Sequence, residues 1–333
     1  MFSKEELELQ YTPRQWSKRG EPEEVIQLHI EICRKASAVV KENIPCQLDI
    51  PYGSTEREKI DVYGIDLPSD APIFIFLHGG YWQTLSKEQS AYIADQLYKH
   101  GVKVIVLGYN LCPNVPFSSV VEGTQNALAY CLKYAKEQGS RGIYLCGHSA
   151  GGHLVASMFQ QAFHPLSDDD KNMIKGAFMI SGIFDLIPIV DTTVNINLKL
   201  NEEEAKKFSP LFHTMDAAPH ISFLVIVGEY ESAAFHKQST LLHNKLKSNG
   251  YKSQLIIAEK VDHFNIVENF IKEDYVILKT ILNIIENKPS TSNADRSHSP
   301  ILLQDLEDVW NIKSTTGQTN KDPWGSDTEY DRY

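Results

Sequence analysis

Ser149 lies in Gly147-His148-Ser149-Ala150-Gly151-Gly152, a G-x-S-x-G pattern. An apolar run, 142–146, precedes it and a helical-looking segment, 153–163, follows, so the serine falls on a sharp turn from strand to helix. Such a turn needs glycine where a Cβ would strike the neighbouring strand or helix, and Gly147 and Gly151 stand two residues either side of Ser149. The strain projects the hydroxyl out of the backbone. The helix that follows aims its amides, and the positive end of its dipole, at the same point. The chemistry predicted is nucleophilic attack by the serine on a carbonyl carbon. A glycine-serine turn with no chemistry is the bland alternative, and the groups below weigh against it.

A nucleophilic serine needs a base, an acid that orients the base, and donors for the oxyanion. For a serine on such an elbow, the acid and the histidine follow in the chain, each in a loop after a late strand. His263, in Val261-Asp262-His263-Phe264, comes just past the apolar strand 254–257 and ahead of the last helix. His236 and His243 are seven apart on one helix and read as surface or packing residues, while His213 and His220 flank a polar insert and are less well placed. The strand 223–227 runs into Gly228-Glu229-Tyr230-Glu231-Ser232, where both glutamates are within reach. Glu231 lies further into the loop and is preferred over Glu229. Asp262 neighbours His263, and adjacent side chains point apart. Asp185 comes one strand too early and reads as a structural or pocket carboxylate.

Two places supply oxyanion donors. One is the amide of Ala150, directly after the serine. The other is His78-Gly79-Gly80-Tyr81-Trp82, directly after the strand 73–77, where the amides of Gly79 and Gly80 can turn inward and their missing side chains allow close approach. Losing one such donor typically costs roughly 3 kcal/mol of transition-state stabilisation. Tyr81 and Trp82 either line an aromatic substrate pocket or wedge the loop against the core. With His263 as base, activity is expected to fall below about pH 6.5.

The elements that must position these groups follow from hydrophobic patterning. Alternation over 47–50 and 59–63 predicts an antiparallel hairpin. The continuous apolar runs 73–77, 102–107, 143–146, 177–180, 223–227 and 254–257 read as strands buried on both faces, as in a parallel sheet. Helices are expected over 22–43, 87–100, 120–138, 235–249 and 265–286, three of them stopped by Gly101, Gly139 and Gly250. Repeated β-α-β units predict a doubly wound α/β domain spanning 1–288, with helices on both faces of a mostly parallel sheet. Residues 1–20 read as an arm lying over the domain and 186–212 as a lid-like helical insert. From 289 to 333 the composition turns polar and reads as a disordered tail, with an apolar island at 301–310.

Bulk numbers narrow the classes. The chain has 333 residues and a formal net charge of -11, so no basic surface for nucleic acid is expected. No apolar run reaches transmembrane length, and 1–6 has no signal core. The five cysteines are scattered without a CxxC pair, which indicates neither a disulfide framework nor a metal site and points to a reducing, cytosolic compartment.

With the His78–Trp82 loop and the serine elbow both in view, the chain resembles the kynurenine formamidases (arylformamidases), a branch of the α/β-hydrolase fold related to hormone-sensitive-lipase-like esterases. The likeness covers roughly 9–286. His78-Gly79-Gly80-Tyr81-Trp82 matches that family's HGGxW loop, Tyr11, Pro13 and Trp16 resemble its N-terminal arm, and Tyr109 to Pro113 resembles its Tyr-x-x-x-Pro stretch. The resemblance implies hydrolysis of N-formyl-L-kynurenine, a small aromatic formamide, to L-kynurenine and formate in tryptophan degradation. It also implies no metal or organic cofactor, a cytosolic enzyme with the nucleus as a second compartment, and often a homodimer. Carried over by motif, the triad is Ser149, Glu231 and His263, with the one departure that the family usually has Asp where Glu231 stands. The competing readings are a general carboxylesterase on the same machinery and a non-catalytic interaction protein on the same fold.

Overall fold

Alternation along the strands decides which side of the sheet each apolar residue feeds. The computed structural model describes residues 2–161 and 166–287; the expected tail and its apolar island lie outside them. Among the described residues the strands are β1 (Cys46–Pro51), β2 (Lys59–Tyr63), β3 (Ile73–Leu77), β4 (Lys103–Leu107), β5 (Ile143–His148), β6 (Ile174–Ile180), β7 (Ser222–Gly228) and β8 (Lys252–Ala258). They form one sheet in the order β1-β2-β4-β3-β5-β6-β7-β8. The β1/β2 and β2/β4 pairs are antiparallel and all the others parallel. In β3, Ile73, Ile75 and Leu77 join the apolar layer on one face while Phe74 and Phe76 join the layer on the other. That two-sided burial is why β3 carries no polar residue.

The helices are α1 (Lys4–Gln10), α2 (Pro22–Asn43), α3 (Ala94–Lys99), α4 (Phe117–Gln138), α5 (Ala150–Ser157), α6 (Asp168–Met173), α7 (Asn195–Leu198), α8 (Glu202–Lys207), α9 (Ala233–Ser248), α10 (Asn265–Glu268) and α11 (Val276–Ile285). Residues of α4, α5 and α9 fill the first layer, and residues of α2, α3 and α11 fill the second. The α4 helix stops at Gly139, which takes the left-handed conformation at φ 73° and donates back to Ala135 and Lys136. This is the α/β-hydrolase arrangement, with the loops that could carry chemistry at the carboxyl ends of the parallel strands.

Three expected helices differ. The segment 87–100 opens as two 3₁₀ turns, Lys87–Gln89 and Ala91–Ile93, before α3 begins. Ser90 Oγ donates to Ser86 O at 2.8 Å, and Lys87 turns inward to Asp61; local side-chain bonds of this kind compete with a helix start. The helix after the elbow ends at Ser157 rather than 163, and Gln160 makes a bridge to Met215 instead. The last segment breaks at 272–275, where Lys272, Glu273 and Asp274 offer no apolar face, and α11 then buries Ile277, Leu278, Ile281, Leu282 and Ile285 at helical spacing.

The insert is helical as expected, built of α7 and α8 between 3₁₀ turns at Ile187–Asp191 and Pro210–Phe212. The arm holds it: Glu8 on α1 accepts from Thr193 N at 2.7 Å and from the Thr193 hydroxyl. Gln83, just past the His78–Trp82 loop, donates to Val194 O at 2.7 Å and accepts from Asn197 at 2.9 Å. Arm, insert and loop are thereby tied into one unit.

Candidate active site

Ser149 occupies the turn from β5 into α5 with φ 54° and ψ -118°, a conformation a non-glycine residue adopts only under constraint. A Cβ on Gly147 would run into the Gly151 carbonyl, and one on Gly151 would run into the Leu77 carbonyl, so both flanking glycines are steric requirements of the bend. Ser149 N donates to Ile180 O at 2.8 Å, pinning the bend to β6.

The candidate base and its candidate acid are in contact. His263 Nδ1 lies 2.7 Å from Glu231 Oε2, and both side chains are buried. A carboxylate at that distance accepts, so the proton on this bond sits on Nδ1 and Nε2 is the ring nitrogen that Glu231 leaves unengaged. The other Glu231 oxygen accepts from Gly228 N at 2.8 Å and from the Ser181 hydroxyl. The longer glutamate is thus folded back over its own loop, in space a side chain on Gly228 would crowd. Glu229 instead caps the neighbouring turn, accepting from Lys260 N at 2.6 Å. The structure therefore places Glu231, not Glu229, against His263.

His148 connects the elbow to the histidine loop. Its Nε2 donates to His263 O at 2.7 Å, and the two rings pack with centroids 4.8 Å apart. Phe235 covers His263 edge-on at 4.9 Å. Burial, then the neighbouring His263, push the His148 imidazole well below its ordinary pKa, so it is neutral. Among the described residues no hydrogen bond joins Ser149 Oγ to His263. Bonds of this kind are often long without substrate and tighten on binding.

The candidate oxyanion loop abuts the elbow. A Cβ on Gly79 would sit 3.0 Å from Ser149 Cβ, so the backbone there passes directly over the serine. Among the described residues the amides of Gly79, Gly80 and Ala150 donate to no protein acceptor. His78 is buried and stacks on Tyr109 at 4.3 Å, and Tyr109 donates its hydroxyl proton to His78 O at 2.7 Å. Cys112 N donates to Trp82 O at 2.8 Å, which makes the 109–113 stretch a brace for the loop.

Of the two readings for the loop's aromatics, the wedge fits both. Trp82 is fully buried, edge-on to Phe117 at 5.1 Å and to His153 at 5.0 Å. Tyr81 is buried and donates to Tyr11 O at 2.5 Å, fastening the arm. As pocket-lining candidates both side chains are corrected by packing: large apolar rings next to a strand end are drawn into the core. Asp185 accepts from Ile187 N at 3.0 Å in a turn, and burial raises its pKa. His213 bonds to Lys206 O, His220 to Ile174 O, His236 to Glu229 O and His243 to Ser253.

Four residues around this group escaped the sequence reading. Ser181 follows β6 as Ser149 follows β5, and that equivalent position after a strand was a usable signal. His148 sits inside the elbow motif, where its role could not be separated from that of the serine. Ser17 and Arg19, which bond to Asp262 from the arm, had no local feature to mark them.

Fold and constellation define a serine-hydrolase-like member of the α/β-hydrolase superfamily. The family described as BD-FAE matches residues 60–246, more than half of the chain. A kynurenine formamidase of Danio rerio is 37% identical over 291 residues, covering 85% of this chain and 97% of that protein. One of Salmo salar is 36% identical over 289 residues, with 85% and 97% covered. Among solved structures, a protein assigned as a thioesterase from Silicibacter sp. TM1040 superposes with a TM-score of 0.69 at 26% identity, over 84% of this chain and 99% of that one. The chain belongs to the kynurenine formamidase family.

Proposed function

We propose that this protein hydrolyses the formamide of N-formyl-L-kynurenine to L-kynurenine and formate, with Ser149 as nucleophile, His263 as general base and acid, and Glu231 as the group that orients it. The observation that carries the substrate is the likeness to the zebrafish formamidase along nearly that protein's whole length. The chemistry is supported by the buried Glu231–His263 pair beside a strained serine and unpaired amides.

His263 Nε2 takes the proton from Ser149 as Oγ attacks the formyl carbon. The developing oxyanion is met by the amides of Gly79, Gly80 and Ala150. The imidazolium, held by Glu231, returns its proton to the leaving aniline nitrogen as the C–N bond breaks. Water, activated by the same imidazole, then cleaves the formyl ester and releases formate. The formyl carbon carries only hydrogen, so little room is needed on the acyl side, and the insert and arm are read as the roof over the aryl side.

The test is kcat/KM for N-formyl-L-kynurenine against short nitrophenyl esters, on wild type and Ser149→Ala. Formamide preference, abolished in the variant, is expected. An ester preference of orders of magnitude would assign the protein as a general carboxylesterase instead.

A further inference from the structure

The segment that carries His263 is held from outside by the N-terminal arm. Asp262, immediately before His263, turns away from it. Its Oδ1 accepts from the amides of Phe264 and Asn265 at 2.9 and 2.8 Å, which shapes the turn. Its Oδ2 accepts from Ser17 Oγ at 2.6 Å and Arg19 Nε at 2.8 Å. The same guanidinium reaches Glu268, at the end of α10, with Nη1 2.6 Å from Oε2. Glu268 Oε1 is met by His29 Nδ1 at 2.8 Å, from α2. Asp262 and Glu268 are both buried, and they stand on either side of His263 along the chain.

The guanidinium fork therefore bridges both ends of the seven-residue stretch 262–268. A planar fork fixes two carboxylates relative to each other as a point charge cannot. Burial works against the charge on Asp262, but Ser17, the turn amides and Arg19 together hold its carboxyl below the usual range. Other ties reach the backbone of this loop, Tyr230 N on Val261 O at 3.0 Å and His148 on His263 O, and its side chains, Glu231 on His263 and His29 on Glu268. The arm adds a side-chain tie from the opposite end of the chain.

We propose that Arg19, with Ser17, is a positioning residue for His263: it sets the height and tilt of the base above Ser149 by clamping Asp262 and Glu268. This rests on the reading of His263 as the base. Neither residue touches the reacting atoms, so the effect falls on turnover rather than on substrate binding.

The experiment is steady-state kinetics of full-length Arg19→Ala, Arg19→Lys and Ser17→Ala on N-formyl-L-kynurenine and on a nitrophenyl ester, with kcat counted per serine labelled to completion by a fluorophosphonate. Arg19→Ala should lose about 10- to 100-fold in kcat with KM within about twofold, because a base displaced by an ångström costs on that order. Arg19→Lys, which keeps the charge without the fork, should fall between, and Ser17→Ala should lose several-fold. A lowered melting temperature with wild-type kcat per labelled serine would overturn the clamp. If Arg19→Ala does not fold, the lysine and Ser17 variants decide, and unchanged kcat in both overturns it. Failure of the underlying reading looks different: His263→Ala would then keep wild-type activity, and the clamp would fall with it.

Discussion

Ser149→Ala and His263→Ala are each expected to lower kcat by about 10⁵-fold or more, and the double variant to be hardly worse than either. The reason is that hydroxyl and imidazole act as one unit: without the base the serine is a poor nucleophile, and without the serine the base has nothing to activate, so the losses do not add. Glu231→Gln is expected to cost about 10⁴-fold. An amide at this position can present its NH₂ to His263 Nδ1, which favours the wrong tautomer and removes the charge that stabilises the imidazolium. It also weakens the two other bonds that end on this carboxylate, from Gly228 N and Ser181. Glu229→Gln is the control. Its carboxylate caps the Lys260 turn on the surface, and kcat should stay within about twofold to threefold. Single-turnover measurement on N-formyl-L-kynurenine reads all five. Equal losses in the Glu229 and Glu231 variants would remove the acid assignment, and multiplicative losses in the double variant would mean that Ser149 and His263 act in separate steps.

What the chain discloses without coordinates is set by how local the cause is. The elbow could be read because its requirements are packed into a few neighbouring residues: two glycines, an apolar strand before and a helix after. The parallel strands could be read because burial on both faces leaves no polar residue to interrupt a run such as Ile73 to Leu77. His263 and Glu231 could be placed because each follows directly on a strand end. Where the cause is a distant contact, local pattern gives nothing. The start of the 87–100 segment is decided by Lys87 reaching Asp61 on β2, 26 residues earlier. Trp82 faces the core because Phe117 and His153 wait for it there. Residues 1–20 read as an arm over the domain, but its partners were hidden: Arg19 meets Asp262 across 243 residues, and no periodicity records that pairing. The choice between Glu229 and Glu231 was a matter of direction, which only the turn at Gly228 settles.

Acidification should destabilise this protein before its carboxylates are titrated, because three imidazoles are buried without a charge. Burial outweighs the bond to Gly79 O and lowers His78 to about 3. It outweighs the bond to Phe208 O and lowers His153 to about 4. It drives His148 well down, helped by the neighbouring His263. In the unfolded chain each returns to about 6.5. Between those limits the unfolded state binds more protons than the folded one, so stability is full above pH 6.5 and falls as the pH drops. At pH 5 the cost is about 2 kcal/mol each for His78 and His153, about 4 kcal/mol for the two, with His148 acting in the same direction, against a total of roughly 5–15 kcal/mol for a typical domain. Urea unfolding at pH 7.5, 6.5, 5.5 and 5.0 measures this directly. His153→Gln should be less stable at pH 7.5, since His153 packs between Trp82 and Phe117, but should lose less than wild type between pH 6.5 and 5. A variant that runs parallel to wild type would show that His153 is not held neutral. The same series separates two causes of acid inactivation. Loss of activity with native fluorescence, restored at once at pH 7.5, is protonation in the site; loss that follows the unfolding curve comes from the buried imidazoles around it.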